Sequence, residues 1–71
     1  KKRFEKIEGY FLSIFSFLGQ SLGVTTHGLK YNLNNSILKN TFPLGISNEF
    51  LSNFCEIEVK NGTLLIIFSK R

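Results

Sequence analysis

The clearest alternation of apolar and polar side chains lies toward the end of the chain. Residues 55–60 alternate apolar with charged side chains, which is the period of a strand with one buried face. Asn61-Gly62 follows, a dipeptide that favours a tight two-residue turn because both residues tolerate positive φ. Residues 63–69 supply the aliphatic and β-branched side chains of a second strand. The pattern predicts a hairpin over residues 55–69.

The register of such a hairpin decides which side chains share a face. We expect Cys55 to be buried opposite Phe68, where it acts as a small apolar residue rather than as a reactive thiol. We also expect a positive φ at Gly62, at the turn. Leu65 and Ile67 make the second strand apolar on both sides, which is typical of a strand covered on both faces.

Residues 2–22 fit two kinds of element. Gly9 and the aromatic cluster that follows it favour a strand, to which we assign residues 3–12. The apolar run over residues 10–18 is too short to cross a bilayer, which takes about 20 apolar residues. A helix stays open as well, because apolar residues recur at three- and four-residue steps. These residues are Phe4, Ile7, Phe11, Ile14 and Leu18.

A second hairpin is predicted in the middle of the chain. Residues 29–33 alternate and predict a strand with Leu29, Tyr31 and Leu33 on one face. Residues 34–36 have the composition of a turn, and residues 37–42 predict the return strand, which ends at Pro43.

Two less regular segments flank this second hairpin. Residues 19–28, rich in Gly, Ser and Thr, predict a connection, in which His27 is a lone surface histidine. Residues 47–54 predict a loop or one short helical turn. Together these elements predict an α+β fold with a small, mainly antiparallel sheet of about four strands. Residues 1–71 would form one small domain.

The composition argues against an enzyme. The 71 residues include one cysteine and no aspartate, so no Ser/His/Asp or Cys/His set is visible. The glycines lack the spacing of a phosphate-binding loop. We therefore expect no catalytic residue, no metal site and no cofactor. Over-use of residues with AT-rich codons indicates an organellar or another AT-rich genome, and the missing methionine indicates a processed or trimmed chain.

The net charge of +4 is concentrated at the two ends of the sequence. Clustered positive charge favours a polyanionic neighbour, although solvated lysine tails explain it equally well. The candidate phosphate-binding residues are Lys1, Lys2, Arg3, Lys6, Lys70 and Arg71.

Residues 29–46 resemble the large-subunit ribosomal protein L-six family. An apolar strand, a short turn and a Pro-x-Gly-Ile motif match that family at Leu33, Ser36, Pro43, Gly45 and Ile46. Residues 4–10 resemble a strand of the same family that ends in Gly-Tyr, and residues 59–67 resemble its next hairpin. The family's helix after the last strand and its RNA-contacting tail have no counterpart in this chain. The resemblance therefore implies a segment whose sheet is completed by another chain.

The resemblance implies a structural constituent of a mitochondrial-type large ribosomal subunit. Its six terminal basic residues would then bind ribosomal RNA, with neighbouring ribosomal proteins as partners and neither a small-molecule substrate nor a membrane. The alternative is a small non-catalytic subunit of a larger, membrane-associated organellar complex, in which residues 10–18 dock as a helix.

Overall fold

The computed structural model describes residues 1–39 and 48–71, and these residues form an all-β fold. None of them lies in a helix, so the predicted α+β class is wrong, and the sheet has five strands rather than about four. The strands are β1 (Lys2–Glu5), β2 (Tyr10–His27), β3 (Ser36–Lys39), β4 (Phe54–Glu58) and β5 (Asn61–Lys70).

The central element is β2, because three of the other four strands pair with it. Its first half, residues 10–17, pairs with β5. Its second half pairs with β3 along one edge and with β4 along the other. β1 extends the sheet by pairing with β4, and all these pairs are antiparallel.

Residues 2–22 contain strands rather than a helix. Leu12 and Ile14 of β2 are buried in the core, whereas Phe11 and Phe15 on the opposite face are half-buried. A strand that is apolar on both faces also contains spacings of three and four residues. Those spacings explain why the segment has the apolar stripe of a helix.

The predicted connection at residues 19–28 is also wrong, because β2 continues to His27. Gly19 and Gly23 have φ angles of 114° and 65°, and each lies where the register between β2 and a neighbouring strand shifts. The glycines therefore mark β-bulges within one long strand instead of a loop between two strands.

The predicted hairpin over residues 55–69 is wrong, although both of its strands are present. β4 pairs with β1 and β2, and β5 pairs with β2, but β4 and β5 do not pair with each other. They follow one another along one edge of β2, and between them the Lys60 N–H donates to the Leu22 carbonyl at 3.0 Å. Alternation identified these strands but carried no information about their partners.

Gly62 has the positive φ that was predicted, 117°, but for a different reason. Residues 18–21 of β2 bulge opposite Gly62 alone. A Cβ atom on Gly62 would lie 2.7 Å from the Cα of Ser21, so glycine permits a close approach of two backbones.

The core lies between β1 and β4 on one side and β5 with the first half of β2 on the other. The rings of Phe4 and Phe68 meet there edge to face, with their centroids 6.0 Å apart. Cys55 is fully buried, as predicted, but its strand partner is Phe4 instead of Phe68. The buried apolar residues are Leu12, Ile14, Val24, Leu29, Leu38, Phe50, Cys55 and Ile57.

The second predicted hairpin is replaced by a different arrangement. Residues 29–33 do not form a strand, and β3 pairs with β2 instead. The turn before β3 is present, with a φ of 48° at Asn35. Residues 48–53 contain no helical turn. The rest of the predicted return strand, the Pro-x-Gly-Ile motif and Ser47 lie at 40–47, outside the described residues.

Candidate functional site

The loop that connects β2 to β3, residues 28–35, is fixed by hydrogen bonds at several points. The Asn32 carboxamide oxygen accepts from the Thr26 hydroxyl and from the Leu29 N–H, each at 3.1 Å. The Thr26 hydroxyl oxygen in turn accepts from the Leu33 N–H at 2.8 Å. We call residues 28–35 the Tyr31 loop, because these bonds hold the backbone on both sides of Tyr31.

Asn48 binds the backbone of Tyr31 directly. Its carboxamide oxygen accepts from the Tyr31 N–H at 3.0 Å, and its carboxamide nitrogen donates to the Tyr31 carbonyl at 2.7 Å. Asn48 is only 2% exposed, and its own backbone pairs with Leu12 of β2 through two bonds of 2.9 Å. The position of Tyr31 is therefore set by the core of the sheet.

The Tyr31 side chain itself points outward. It is 62% exposed, although its backbone is held on both its N–H and its carbonyl. A large aromatic ring that is both exposed and rigidly mounted loses little conformational freedom when a ligand stacks on it. Tyr31 thus has the properties of a binding platform rather than of a core residue.

Charged groups surround this platform. The Glu49 carboxylate forms ion pairs with Lys30, at 3.7 Å, and with Arg71. The ammonium of Lys30 also lies 5.5 Å from the centroid of the Tyr31 ring, which shows that a positive charge can occupy the space over the ring. An exposed aromatic face beside a carboxylate suits a flat organic cation.

A cleft of about 380 Å³ lies elsewhere, between β1 and β5. Its walls are mainly apolar, but Lys1 and Lys2 line it as well, and their charges disfavour a cation. The cleft and the Tyr31 loop share no residue.

Cys55 has the raised pKa of a buried thiol. Burial in the core raises the pKa by disfavouring the thiolate, and a hydrogen bond from the backbone of Phe4 opposes this with a smaller effect. The neutral thiol packs as an apolar residue, as the sequence predicted. Among residues 1–39 and 48–71, no group of three His, Cys, Asp or Glu side chains could hold a metal ion.

The basic residues predicted to bind RNA do not form one patch. Lys1 and Lys2 line the cleft, whereas Lys70 and Arg71 lie at the end of β5, beside the start of β2. The first and last strands, β1 and β5, do not pair with each other. Such a pairing would have brought the basic residues at the two ends of the chain together.

Three of the six basic residues already pair with carboxylates of the same chain. Arg3 pairs with Glu5 at 2.8 Å, and Lys6 pairs with Glu8 at 3.3 Å. Arg71 pairs with Glu49 and lies over the Phe11 ring. RNA contact by the six residues is still an untested prediction.

Sequence reasoning missed Tyr31 and Asn48. Tyr31 was placed on one strand face with Leu29 and Leu33, because the three alternate with polar residues. In the structure Leu29 is buried, Leu33 is half-buried and Tyr31 is exposed. Asn48 is separated from Tyr31 by 17 residues, so no local pattern pointed to their contact.

The comparisons with known proteins identify the family. The model of the thiamin pyrophosphokinase vitamin B1 binding domain matches residues 1–64, and the chain belongs to this family. The crystal structure of thiamine pyrophosphokinase from Bacillus subtilis superimposes with a TM-score of 0.91 and 30% sequence identity. The match covers 97% of this chain and 33% of that one, so the chain spans about a third of that enzyme's length. No curated protein sequence matches significantly.

The family overturns the ribosomal interpretation. The resemblance to the L-six family, the structural role in a mitochondrial large subunit and the ribosomal partners are wrong, because the matching family is the vitamin-binding domain of a pyrophosphokinase. The exclusion of an enzyme and of a small-molecule substrate is wrong for the same reason. The described residues contain no helix long and apolar enough to cross a membrane.

Proposed function

We propose that this chain is the vitamin-binding domain of a thiamin pyrophosphokinase, and that the Tyr31 loop receives thiamine. The observation that carries the proposal is the exposed ring of Tyr31 on a backbone that Asn48 holds from the core. Family membership supports thiamine as the ligand, and the exposed, firmly held Tyr31 supports this loop as its location.

The chemistry of thiamine fits this place better than it fits the cleft. Thiamine joins a positively charged thiazolium ring to an aminopyrimidine ring, and both rings are flat. The face of Tyr31 can stack on either ring, and it attracts the cation in addition. At the Tyr31 loop the thiazolium would take the place of the Lys30 ammonium over the ring, with the Glu49 carboxylate beside it. The cleft has Lys1 and Lys2 but no carboxylate among its lining residues, so it would repel the thiazolium.

The whole enzyme would transfer a pyrophosphate group from ATP to the hydroxyl of thiamine. In this division of labour, residues 1–71 hold the acceptor, and the remainder of a longer protein binds the nucleotide. The Bacillus subtilis relative, of which the match covers a third, is consistent with such a division. The organellar location suggested by the composition is likewise a prediction that no observation tests.

The test is the affinity of the intact protein for thiamine, measured by isothermal titration calorimetry without nucleotide. Replacing Tyr31→Ala should weaken binding by roughly tenfold, because a partly desolvated cation–π contact contributes about 1–2 kcal/mol. Tyr31→Phe keeps the aromatic face and should bind within about a factor of three of the native protein.

Phe17→Ala is the matched control for this measurement. Phe17 is another exposed aromatic residue, 50% accessible, and it lies outside the Tyr31 loop. Its replacement should leave the affinity for thiamine unchanged. Equal affinities for native protein and Tyr31→Ala would show that thiamine binds elsewhere.

A further inference from the structure

The cleft between β1 and β5 is an opening into the core. Phe4 of β1 and Ile57 of β4 form one side, and Leu64 and Ile66 of β5 form the other, with Val59 between them. All five pack in or against the apolar core. An apolar cleft of about 380 Å³ is large enough to take several aliphatic side chains.

The cleft is bordered on each side by a strand that has one unpaired edge. β1 pairs only with β4, and β5 pairs only with β2, so the second edge of each strand has no neighbouring strand in the described part of the chain. Soluble proteins usually protect such edges with charged residues, proline or bulges. Residues 62–69 of β5 include no charged residue and no proline, and their pairing with β2 over residues 63–70 has no bulge. The edge of β5 is therefore suited to accept a further strand.

The charges at the cleft determine what kind of strand fits. Lys1 and Lys2 line it, and neither forms a salt bridge with the described residues. A second copy of this chain, paired antiparallel along β5, would place Lys1 and Lys2 of one copy near the Lys70 end of β5 in the other copy, which is also positive. A segment that carries carboxylates would instead neutralise them.

We propose that this cleft binds an extended, acidic peptide segment as an added strand on β5. The backbone of the segment pairs with the free edge of β5, which at ten residues is longer than the four-residue edge of β1. Every second side chain is apolar and enters the cleft, because alternate residues of a strand point to the same face. Carboxylates of the segment face Lys1 and Lys2. This peptide site is separate from the thiamine site at the Tyr31 loop.

The experiment uses a fluorescent peptide in which valine and threonine alternate between terminal glutamates. Its binding to the intact protein is followed by fluorescence anisotropy. We expect saturable binding with one peptide per chain, unchanged by excess thiamine. A control peptide that differs only by a proline at its central position lacks one N–H and cannot continue the ladder, so it should fail to bind.

The charge-reversed double variant Lys1→Glu/Lys2→Glu tests the electrostatic part. It should bind the glutamate-ended peptide roughly fivefold more weakly, and it should prefer a peptide ended by lysines, given the modest strength of exposed ion pairs. Both substitutions are at exposed positions, so the variant should fold.

Any one of four binding results would overturn the proposal. They are the absence of saturable binding, equal binding of the proline peptide, competition by thiamine, and an affinity that does not respond to charge reversal. The last measurement is the oligomeric state of the protein without peptide, determined by sedimentation. A concentration-dependent dimer that excludes the peptide would assign the edge of β5 to a second copy of the chain and would also overturn it.

Discussion

Asn48 and Tyr31 occupy positions that are unusual for their residue types. Asn48 is a polar residue in the core, and its carboxamide accepts from two N–H groups and donates to one carbonyl. Tyr31 is an aromatic residue on the surface. Alternation placed Tyr31 on one strand face with Leu29 and Leu33, but residues 29–33 do not form a strand. Composition placed Asn48 in a loop or a short helical turn, and residues 48–53 contain no helical turn. Neither pattern pointed to the contact between Tyr31 and Asn48, because long-range hydrogen bonds rather than local periodicity place these residues.

Replacing Asn48→Ala should lower the free energy of unfolding by about 2–3 kcal/mol, because buried backbone groups of Tyr31 and Glu49 lose their partner. The same variant should bind thiamine more weakly at temperatures where it is still folded. Urea denaturation gives the first quantity and calorimetric titration the second. Asn53→Ala, which truncates an exposed asparagine, should change stability by less than about 0.5 kcal/mol.

Burial of Cys55 should make stability fall at high pH. The pKa of the thiol is raised in the folded protein, so the unfolded chain loses this proton at a lower pH than the native protein. The stabilising contribution is therefore complete below the ordinary thiol pKa, and it is lost as pH rises through the folded value. Urea denaturation between pH 7 and about pH 10 measures this loss.

Cys55→Ala is the control, because it removes the titrating thiol and leaves the other ionisable groups in place. Its stability should decline less steeply with pH than that of the native protein. Parallel declines of the two proteins would contradict a shielded thiol. Slow labelling of native Cys55 by a thiol reagent is expected for the same reason.

At the scale of elements, the pattern located the last two strands of the chain but not their partners. Residues 55–60 and 63–69 were predicted as strands. The second lies within β5, whereas β4 ends at Glu58, two residues before the predicted end. Asn61-Gly62 is also compatible with a hairpin turn, but in the structure these two residues begin β5, which pairs with β2. The bulges near Gly19 and Gly23 interrupt the alternation of apolar and polar side chains along β2. For this reason the sequence pattern did not show a single strand of 18 residues.

Gly28, the first residue of the Tyr31 loop, should be costly to replace. Its φ is 86°, and a Cβ atom would lie 2.4 Å from the Phe54 carbonyl oxygen. We expect Gly28→Ala to cost about 3 kcal/mol, from backbone strain together with steric overlap. Thermal denaturation followed by circular dichroism measures the difference.

Gly9→Ala separates the two contributions. Gly9 has a similar φ of 78°, but a Cβ atom there would meet nothing within 4 Å. Its replacement should cost only about 1 kcal/mol, the strain alone. Equal costs at Gly28 and Gly9 would mean that the contact with the Phe54 carbonyl is relieved by a small movement.

For the whole molecule, net charge was a poor guide to function. The excess of basic residues suggested a polyanionic partner, but Arg3, Lys6 and Arg71 pair with glutamates of the same chain. The net charge does not show where the charged side chains lie on the folded domain. The structure places two lysines at an apolar cleft and a carboxylate beside an exposed aromatic ring. Completion of the domain by another chain also stays a prediction.

The dependence of β2 on β5 has a consequence for synthesis. Tyr10 at the start of β2 pairs with Lys70 at the end of β5, so nearly the whole domain must leave the ribosome before this ladder can close. Folds dominated by such distant pairings form in milliseconds to seconds, slowly for a domain of this size. During that interval the phenylalanines of β2 are exposed and can aggregate. β2, with which three of the other four strands pair, is thus the segment that most needs a chaperone during synthesis.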